Sequence, residues 1–387
     1  MANSGRCRLT GGKNTIDDLL AAVMRGDDCG WPADGETEPI IARIAYHGIA
    51  GLLNEQVRQL PTWPVPVKEY LRDQGIALAM WELRHKALLG DLLDRLAEAG
   101  VSALLLKGTA LAYDLYPLPA TRARGDTDLL VGEVDLVAAR RILEGLGYAL
   151  QSPEGIADDL ALQEVWSIGC GAGTSHHIDL HWQLINAPAL TGLLEFAACN
   201  ADPLSLPRLG LSARAMSRPL TLLHSCIHRA MHLTSPYFVN GVTYYGGDRL
   251  IWARDIDLLA AALSQREWQD FAAAAIDQGV AAVCRDGLAL AQRTLKSNIP
   301  AGVMTLLETV RAEQPSAYLL GAGQARRAWL DFRAIPGWRR KLAYVGARSL
   351  PSARFMRGKY PRLANRPLAL LHVKRMIDLL RPRRSEG

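Results

Sequence analysis

Two aspartates stand two positions apart in the run DTDLLVG (126–132). Alternate residues of a strand share a face, so Asp126 and Asp128 would sit ~7 Å apart and could share a divalent cation. Repulsion between the two carboxylates makes such a pair costly without a cation. Surface turns also supply Asp-x-Asp pairs, so the weight comes from the neighbours. Lys107 and Gly108 join the apolar run VSALLLK (101–107) to GTALAYDLYP (108–117), which read as a buried strand and a helix. A glycine there lets backbone N–H groups approach an anion, and the helix N-terminus adds a favourable dipole. Lys107 adds a cation, and Arg122 and Arg124 supply guanidinium groups suited to phosphate oxygens. HHIDLHWQL (176–184) alternates, with Ile178, Leu180 and Trp182 on one side and Asp179 and His181 on the other. Beside 126–131, that strand would bring a third carboxylate, Asp179. These groups form the kit for metal-dependent phosphoryl or nucleotidyl transfer.

The elements that must hold them follow from period and punctuation. Residues 15–27 and 38–58 read as helices, the first capped by Asn14 or Thr15. PTWPVPVK (61–68) reads as a loop. Residues 67–99 show a helical stripe of Leu71, Ala77, Leu83, Leu88, Leu92 and Leu96, stopped at Gly100. Residues 126–132 read as a buried strand and 133–146 as an amphipathic helix ended by Gly147. Beyond about 190 the pattern is mostly helical, with a glycine-rich break at YYGGD (244–248). The fold class is therefore α+β: a small mixed-sheet core flanked by N-terminal and C-terminal helical segments. The expected divisions are 1–100 helical, 101–190 α/β core, 191–320 helical and 321–387 a basic helical C-terminal region.

Composition excludes several classes. The 387 residues are 49% hydrophobic and 21% charged, which is globular rather than disordered or fibrous. No apolar run reaches the ~18 residues of a membrane span. The opening residues lack the apolar core of a secretory signal, and the six scattered cysteines form no CxxC pair, so a cytoplasmic protein with free thiols is expected. The net charge of +5 hides an asymmetry: residues 321–387 carry +14 and the first 320 carry −9. The basic end raises an anionic partner, whether nucleic acid, lipid surface or acidic protein.

The run LLLKGTALAYDLYPLPATRARGDTDLLV, followed by IDLHWQL, resembles the bacterial uncharacterised nucleotidyltransferase family of the DNA polymerase beta-like superfamily. The likeness covers about residues 15–265 and is sharpest in 104–131 and 177–183. The resemblance implies a nucleotidyltransferase core in which Asp126, Asp128 and Asp179 hold Mg²⁺ or Mn²⁺. In the superfamily the third acid, here Asp179, helps to activate the acceptor hydroxyl. Gly108 matches the phosphate-facing turn, Lys107 its cation, and Arg122 the arginine ahead of the acids. The wider superfamily has Gly-Ser where this chain has Lys-Gly-Thr, so the serine's place falls to Thr109. Gly125 stands where a serine-aspartate pair is common. His181 shares the face of Asp179 and would contact phosphate or the carboxylate. The implied substrate is an NTP, with ATP favoured and AMP moved to a hydroxyl acceptor as pyrophosphate leaves. The acceptor, small molecule, peptide or protein, is left open. Modification of a protein or peptide, in a toxin–antitoxin or natural-product setting, is one alternative; a non-catalytic nucleotide-binding module is another.

Weaker signals remain. His224, His228 and His232 recur every four residues on one helix face, without the glutamate of HExxH, so a structural role is favoured over a nucleotide pocket or zinc. His176 and His177 read as a polar start to their strand. Tyr244 and Tyr245 read as packed turn residues, with base stacking the lesser reading. Arg249, Trp252 and Asp255 suggest an Arg–Asp pair holding a helix in place. PLALLHVKRMIDLLRPRR (367–384) reads as a basic amphipathic helix, with docking on the acidic body favoured over membrane or nucleic-acid contact.

Overall fold

The computed structural model describes residues 13–32, 35–151, 162–171, 173–233, 236–239, 242–245, 247–311 and 313–349, with 353, 356–357, 360, 363 and 365–380. The chain opens with four helices: α1 (Lys13–Met24), α2 (Thr37–His47), α3 (Ala50–Glu55) and α4 (Val65–Glu98). The helix expected over 38–58 is broken because Gly48 takes a left-handed cap at φ +69°. The loop expected over 61–68 is shorter than its prolines suggest. Helix α4 begins at Val65, with Pro66 in its first turn, where the missing N–H costs nothing.

The centre of the molecule is a mixed seven-stranded sheet in the order β3-β4-β5-β2-β1-β7-β6. Its strands are β1 (Ala103–Leu105), β2 (Thr127–Val131), β3 (Ala149–Gln151), β4 (Gln163–Gly169), β5 (Ser175–His181), β6 (Leu204–Ser205) and β7 (Arg214–Ala215). Strand β2 is antiparallel to β1 and parallel to β5. Between the strands lie α5 (Lys107–Asp114), α6 (Leu136–Gly145) and the short α7 (Phe196–Cys199). Strands β3 and β4 were not expected. Strands β6 and β7 come from the region read as helical; at two residues each, they are too short to leave a period.

Alternation along β2 and β5 decides which side carries chemistry. Leu129, Val131, Ile178 and Leu180 join the core under α4 and α6, with Leu92, Leu96, Leu143 and Trp166. Leu130 faces the other way, into a larger core. That core unites α1–α3 with α8 (Arg218–His232), α9 (Leu250–Ala262), α10 (Gln265–Asp277) and α11 (Ala281–Leu295). Asp128, Asp179 and His181 occupy alternate positions on that second side.

Downstream of α8, a hairpin pairs β8 (Pro236–Val239) with β9 (Val242–Tyr245). Tyr244 and Tyr245 therefore lie on a strand rather than in a turn. Their side-chain surroundings and Gly246 lie outside the described residues. The chain continues through α12 (Ala301–Thr309), the short α13 (Gln314–Ser316), α14 (Gln324–Ala334), α15 (Trp338–Ser349) and α16 (Leu368–Leu380). Residues 381–384 of the basic helix expected over 367–384 lie outside the described residues. Among the described residues no helix is long and apolar enough to cross a membrane. Cys29, Cys170, Cys199, Cys226 and Cys284 are free; Cys7 lies outside the described residues.

The stripe expected along α4 fails in its middle. Leu83 is exposed, whereas Glu82 and His85 are buried. Both are claimed by polar partners. Glu82 accepts from Arg124 Nη2 at 2.6 Å and from the Tyr113 hydroxyl. His85 Nδ1 meets His176 Nε2 at 2.9 Å, and His176 Nδ1 meets the Tyr148 hydroxyl at 2.7 Å. His176, expected at a polar strand start, is thus inside the protein.

These buried imidazoles imply acid lability. Burial pushes His85 down to about 2 and His176 to about 4. On α8, burial likewise pushes His224 to about 3 and His232 to about 4. The unfolded chain takes up these protons below about pH 6.5, while the folded chain excludes them to pH 4 or lower. Stability therefore falls as pH drops from about 6.5 to 4, by up to about 1.4 kcal/mol per pH unit per group. Asp179, raised to about 7, opposes this over about 4 to 7, as does the raised Asp126, while His47 and His228, also pushed down by burial, add to it. Urea midpoints should fall from about pH 7 to about pH 4.5; a constant or rising midpoint would contradict the assignment.

Candidate active site

The parallel register of β2 and β5 sets Asp128 directly beside Asp179. One ligand atom each from Asp128, Asp179 and His181 lie within 4.8 Å of one another. Asp126 precedes β2, because the strand expected to start at 126 starts at Thr127. It stands outside that trio but lines the same cavity, exposed at its mouth. The cavity measures about 520 Å³, within the range of small-molecule sites.

The carboxylates differ in charge state. Burial works to raise the Asp128 carboxyl, but the Lys107 ammonium and His181 hold it well below the usual range. Both contact Oδ1, with His181 Nε2 at 3.0 Å. Asp179 is raised to about 7 by burial and by the charges of Asp126 and Asp128, with Lys107 opposing. Burial within the cavity wall and Asp128 also raise Asp126, although its edge is open to solvent. Lys107 stays charged: burial disfavours its ammonium, but Asp128, Asp126 and Asp179 more than compensate.

The turn carrying Lys107 is unusual. Leu106 N–H donates to Asp128 O at 3.0 Å, and Lys107 then adopts φ +50° as the chain enters α5. A non-glycine residue pays ~1–2 kcal/mol for that left-handed backbone, a strain typical of functional sites. At Gly108, an added Cβ would lie 3.2 Å from the Arg122 guanidinium carbon. The missing side chain is thus filled by Arg122.

Arg122 lines the cavity and is held by three hydrogen bonds. It grips Asp255 of α9 through Nε at 2.8 Å and Nη2 at 2.7 Å, and its Nη1 donates to Ala123 O at 2.6 Å. The Tyr116 hydroxyl donates to the same carboxylate at 2.7 Å. The Arg–Asp pair expected to hold this helix therefore takes its arginine from 133 positions upstream. Arg249 instead caps α9, donates to Tyr46 O at 2.7 Å and lies over Trp252. Thr109 is buried behind β2, its Oγ1 3.4 Å from that of Thr127, and it does not line the cavity.

The opposite wall comes from α8 and α9. His224, His228 and His232 line the cavity with Met231, Arg249 and Trp252. His228 Nε2 meets His232 Nε2 at 3.0 Å, and His232 stacks on Trp252 with centroids 5.6 Å apart. The four-residue spacing identified this shared face, but not what it would face. Arg124, anchored by Glu82, also lines the site. The signal for that support was the polar break in the α4 stripe.

The donor set fits a divalent cation. Asp128 and Asp179 offer hard oxygen atoms, and His181 offers a nitrogen that Mn²⁺ accepts more readily than Mg²⁺. Burial, and after it the charges of Asp126 and Asp128, raise Asp179, and a cation bound among these groups would relieve that crowding of negative charge.

This site sits within a matched family region. The chain belongs to the family described as uncharacterised nucleotidyltransferase, whose model matches residues 34–296. No curated protein matches the chain. Nucleotidyl transfer from an NTP is therefore the general activity that its family and site support. The matched region contains the sheet, α8, α9 and the whole cavity lining, and ends before the basic C-terminal region.

Proposed function

We propose that the chain transfers a nucleoside monophosphate, AMP from ATP as the favoured case, to a hydroxyl acceptor. The observation that carries this reading is the side-by-side pairing of Asp128 with Asp179 in a cavity large enough for a nucleotide. The acceptor oxygen would bond to the α-phosphorus as the bond to the pyrophosphate oxygen breaks. Asp128, Asp179 and Asp126 would hold Mg²⁺ or Mn²⁺, which when bound neutralises phosphate charge and acidifies the acceptor hydroxyl. Asp179 stands beside Asp128, where its carboxylate oxygen could take the hydroxyl proton. His181 holds Asp128 in orientation until its ring nitrogen serves as a further ligand to the cation. Lys107 balances Asp128 before substrate arrives, and its ammonium can turn to a phosphate oxygen once that carboxylate is otherwise occupied. Gly108 gives the turn its room, and Arg122 fixes the floor by its bond to α9 rather than by gripping phosphate. Thr109 supports α5 from behind. The cytoplasm is the compartment that supplies the NTP.

The test is label transfer. Full-length protein is incubated with each α-labelled NTP, Mg²⁺ or Mn²⁺, and cell extract as acceptor source. ATP label should move to an acceptor with release of pyrophosphate, and a chelator should stop it. The size of the labelled product separates a small molecule from a peptide or protein. Nucleotide retention by folded protein, with no pyrophosphate from any NTP, would favour a binding module instead.

A further inference from the structure

Among its described residues the basic end is docked on one side and exposed on another. Asp331 of α14 is buried and receives the Tyr318 hydroxyl at 3.1 Å, Ala189 N–H at 3.2 Å and the Tyr344 hydroxyl at 3.3 Å. Arg327 is buried beside it, donating to Tyr318 O and Leu319 O. These contacts fasten α14 and α15 to the body, and Arg375 Nη1 of α16 reaches Ser349 O at 3.4 Å.

The outward faces are apolar where a solvated helix would be polar. On α15, Trp338, Leu342 and Val345 fall at i, i+4 and i+7; on α16, Leu370, Val373 and Ile377 fall at i, i+3 and i+7. All six are 44% to 68% exposed. Each set forms one stripe of a helix. Exposed Arg339, Arg340 and Arg348 lie on the same helix as the first stripe, and Lys374 and Arg375 on the same helix as the second. The whole segment carries +14.

We propose that this region is an interfacial surface that seats the enzyme on an anionic lipid bilayer. The aliphatic stripes would enter the acyl boundary while arginine and lysine meet the headgroups. Trp338 suits the interface between the two. Single-stranded RNA would call for aromatic faces open to stacking. Here arginine already lies over both exposed tryptophans, Arg333 on Trp329 at 4.7 Å and Arg339 on Trp338 at 5.6 Å. Aliphatic stripes would gain nothing from RNA. A second copy of the same face would meet strong like-charge repulsion.

Vesicle flotation with the full chain tests this. The protein should float with phosphatidylcholine–phosphatidylglycerol vesicles, stay behind with phosphatidylcholine alone, and be released by high salt. Leu342→Ser with Ile377→Ser should cut partitioning at least about tenfold. Both sites are exposed, and an unchanged thermal transition would show that the fold is intact. Equal binding to neutral vesicles, no vesicle binding, or full binding by the folded double variant would each overturn the proposal. So would retention on polyuridylate RNA, or salt-resistant self-association, in place of vesicle binding.

Discussion

Asp128→Asn should lower label transfer by about a thousandfold or more while leaving a folded protein. Asparagine keeps the shape and one acceptor oxygen, so Lys107 and His181 retain a hydrogen-bond partner. The charge is lost, and with it one anionic cation ligand. Lys107 then leans on Asp126 and Asp179, the other two charges that already favour its ammonium. The apparent pKa of Asp179 should fall too, because Asp128 is one of the charges that raises it. The loss should appear in kcat with NTP saturating, since the aspartate acts where charge develops rather than on the nucleoside. Turnover within a few-fold of wild type would remove Asp128 from the chemistry.

Asp255→Ala should cost about 3–5 kcal/mol of stability, read as a lowered urea midpoint. The aspartate is buried, takes both arms of Arg122 and accepts from Tyr116. Its removal strands a largely buried guanidinium without its carboxylate and leaves a tyrosine hydroxyl without its acceptor. An exposed ion pair would cost at most about 1 kcal/mol, so the size of the loss separates the two descriptions. Arg122→Met combined with Asp255→Ala should be less damaging than the sum of the single changes, because it removes the orphan charge along with its partner. The same variant should impair transfer by loosening α9, which carries Trp252 and Arg249 at the cavity wall. A loss below about 1 kcal/mol would mean that this bond does not hold the two halves of the site together.

These variants also show what was legible in the sequence. Alternation in IDLH and DTDLLV put Asp128, Asp179 and His181 on one face, because a strand's period of two is local. Parallel pairing then brought them together. Asp126 was read into the strand, yet pairing begins one residue later. The bond from Arg122 to Asp255 could not be read ahead, because its partner lies 133 residues away and leaves no local pattern. Glu82 and His85 broke the apolar stripe of α4 for the same reason: their partners, Arg124 and His176, belong to other elements. The histidine ladder of α8 was visible as spacing, but only the packing of α8 against the sheet gives it a cavity to line. The match to the family ends at 296, so the basic C-terminal region has its own account, drawn from exposed stripes and charge.

The most direct measurement is calorimetric titration of Mn²⁺ into the full chain, with and without ATP, for wild type and Asp128→Asn. Wild type should bind Mn²⁺, more tightly with ATP present, and the folded variant should lose most of that affinity. Equal Mn²⁺ binding by the two proteins, or none by folded wild type even with ATP, would contradict the site described here.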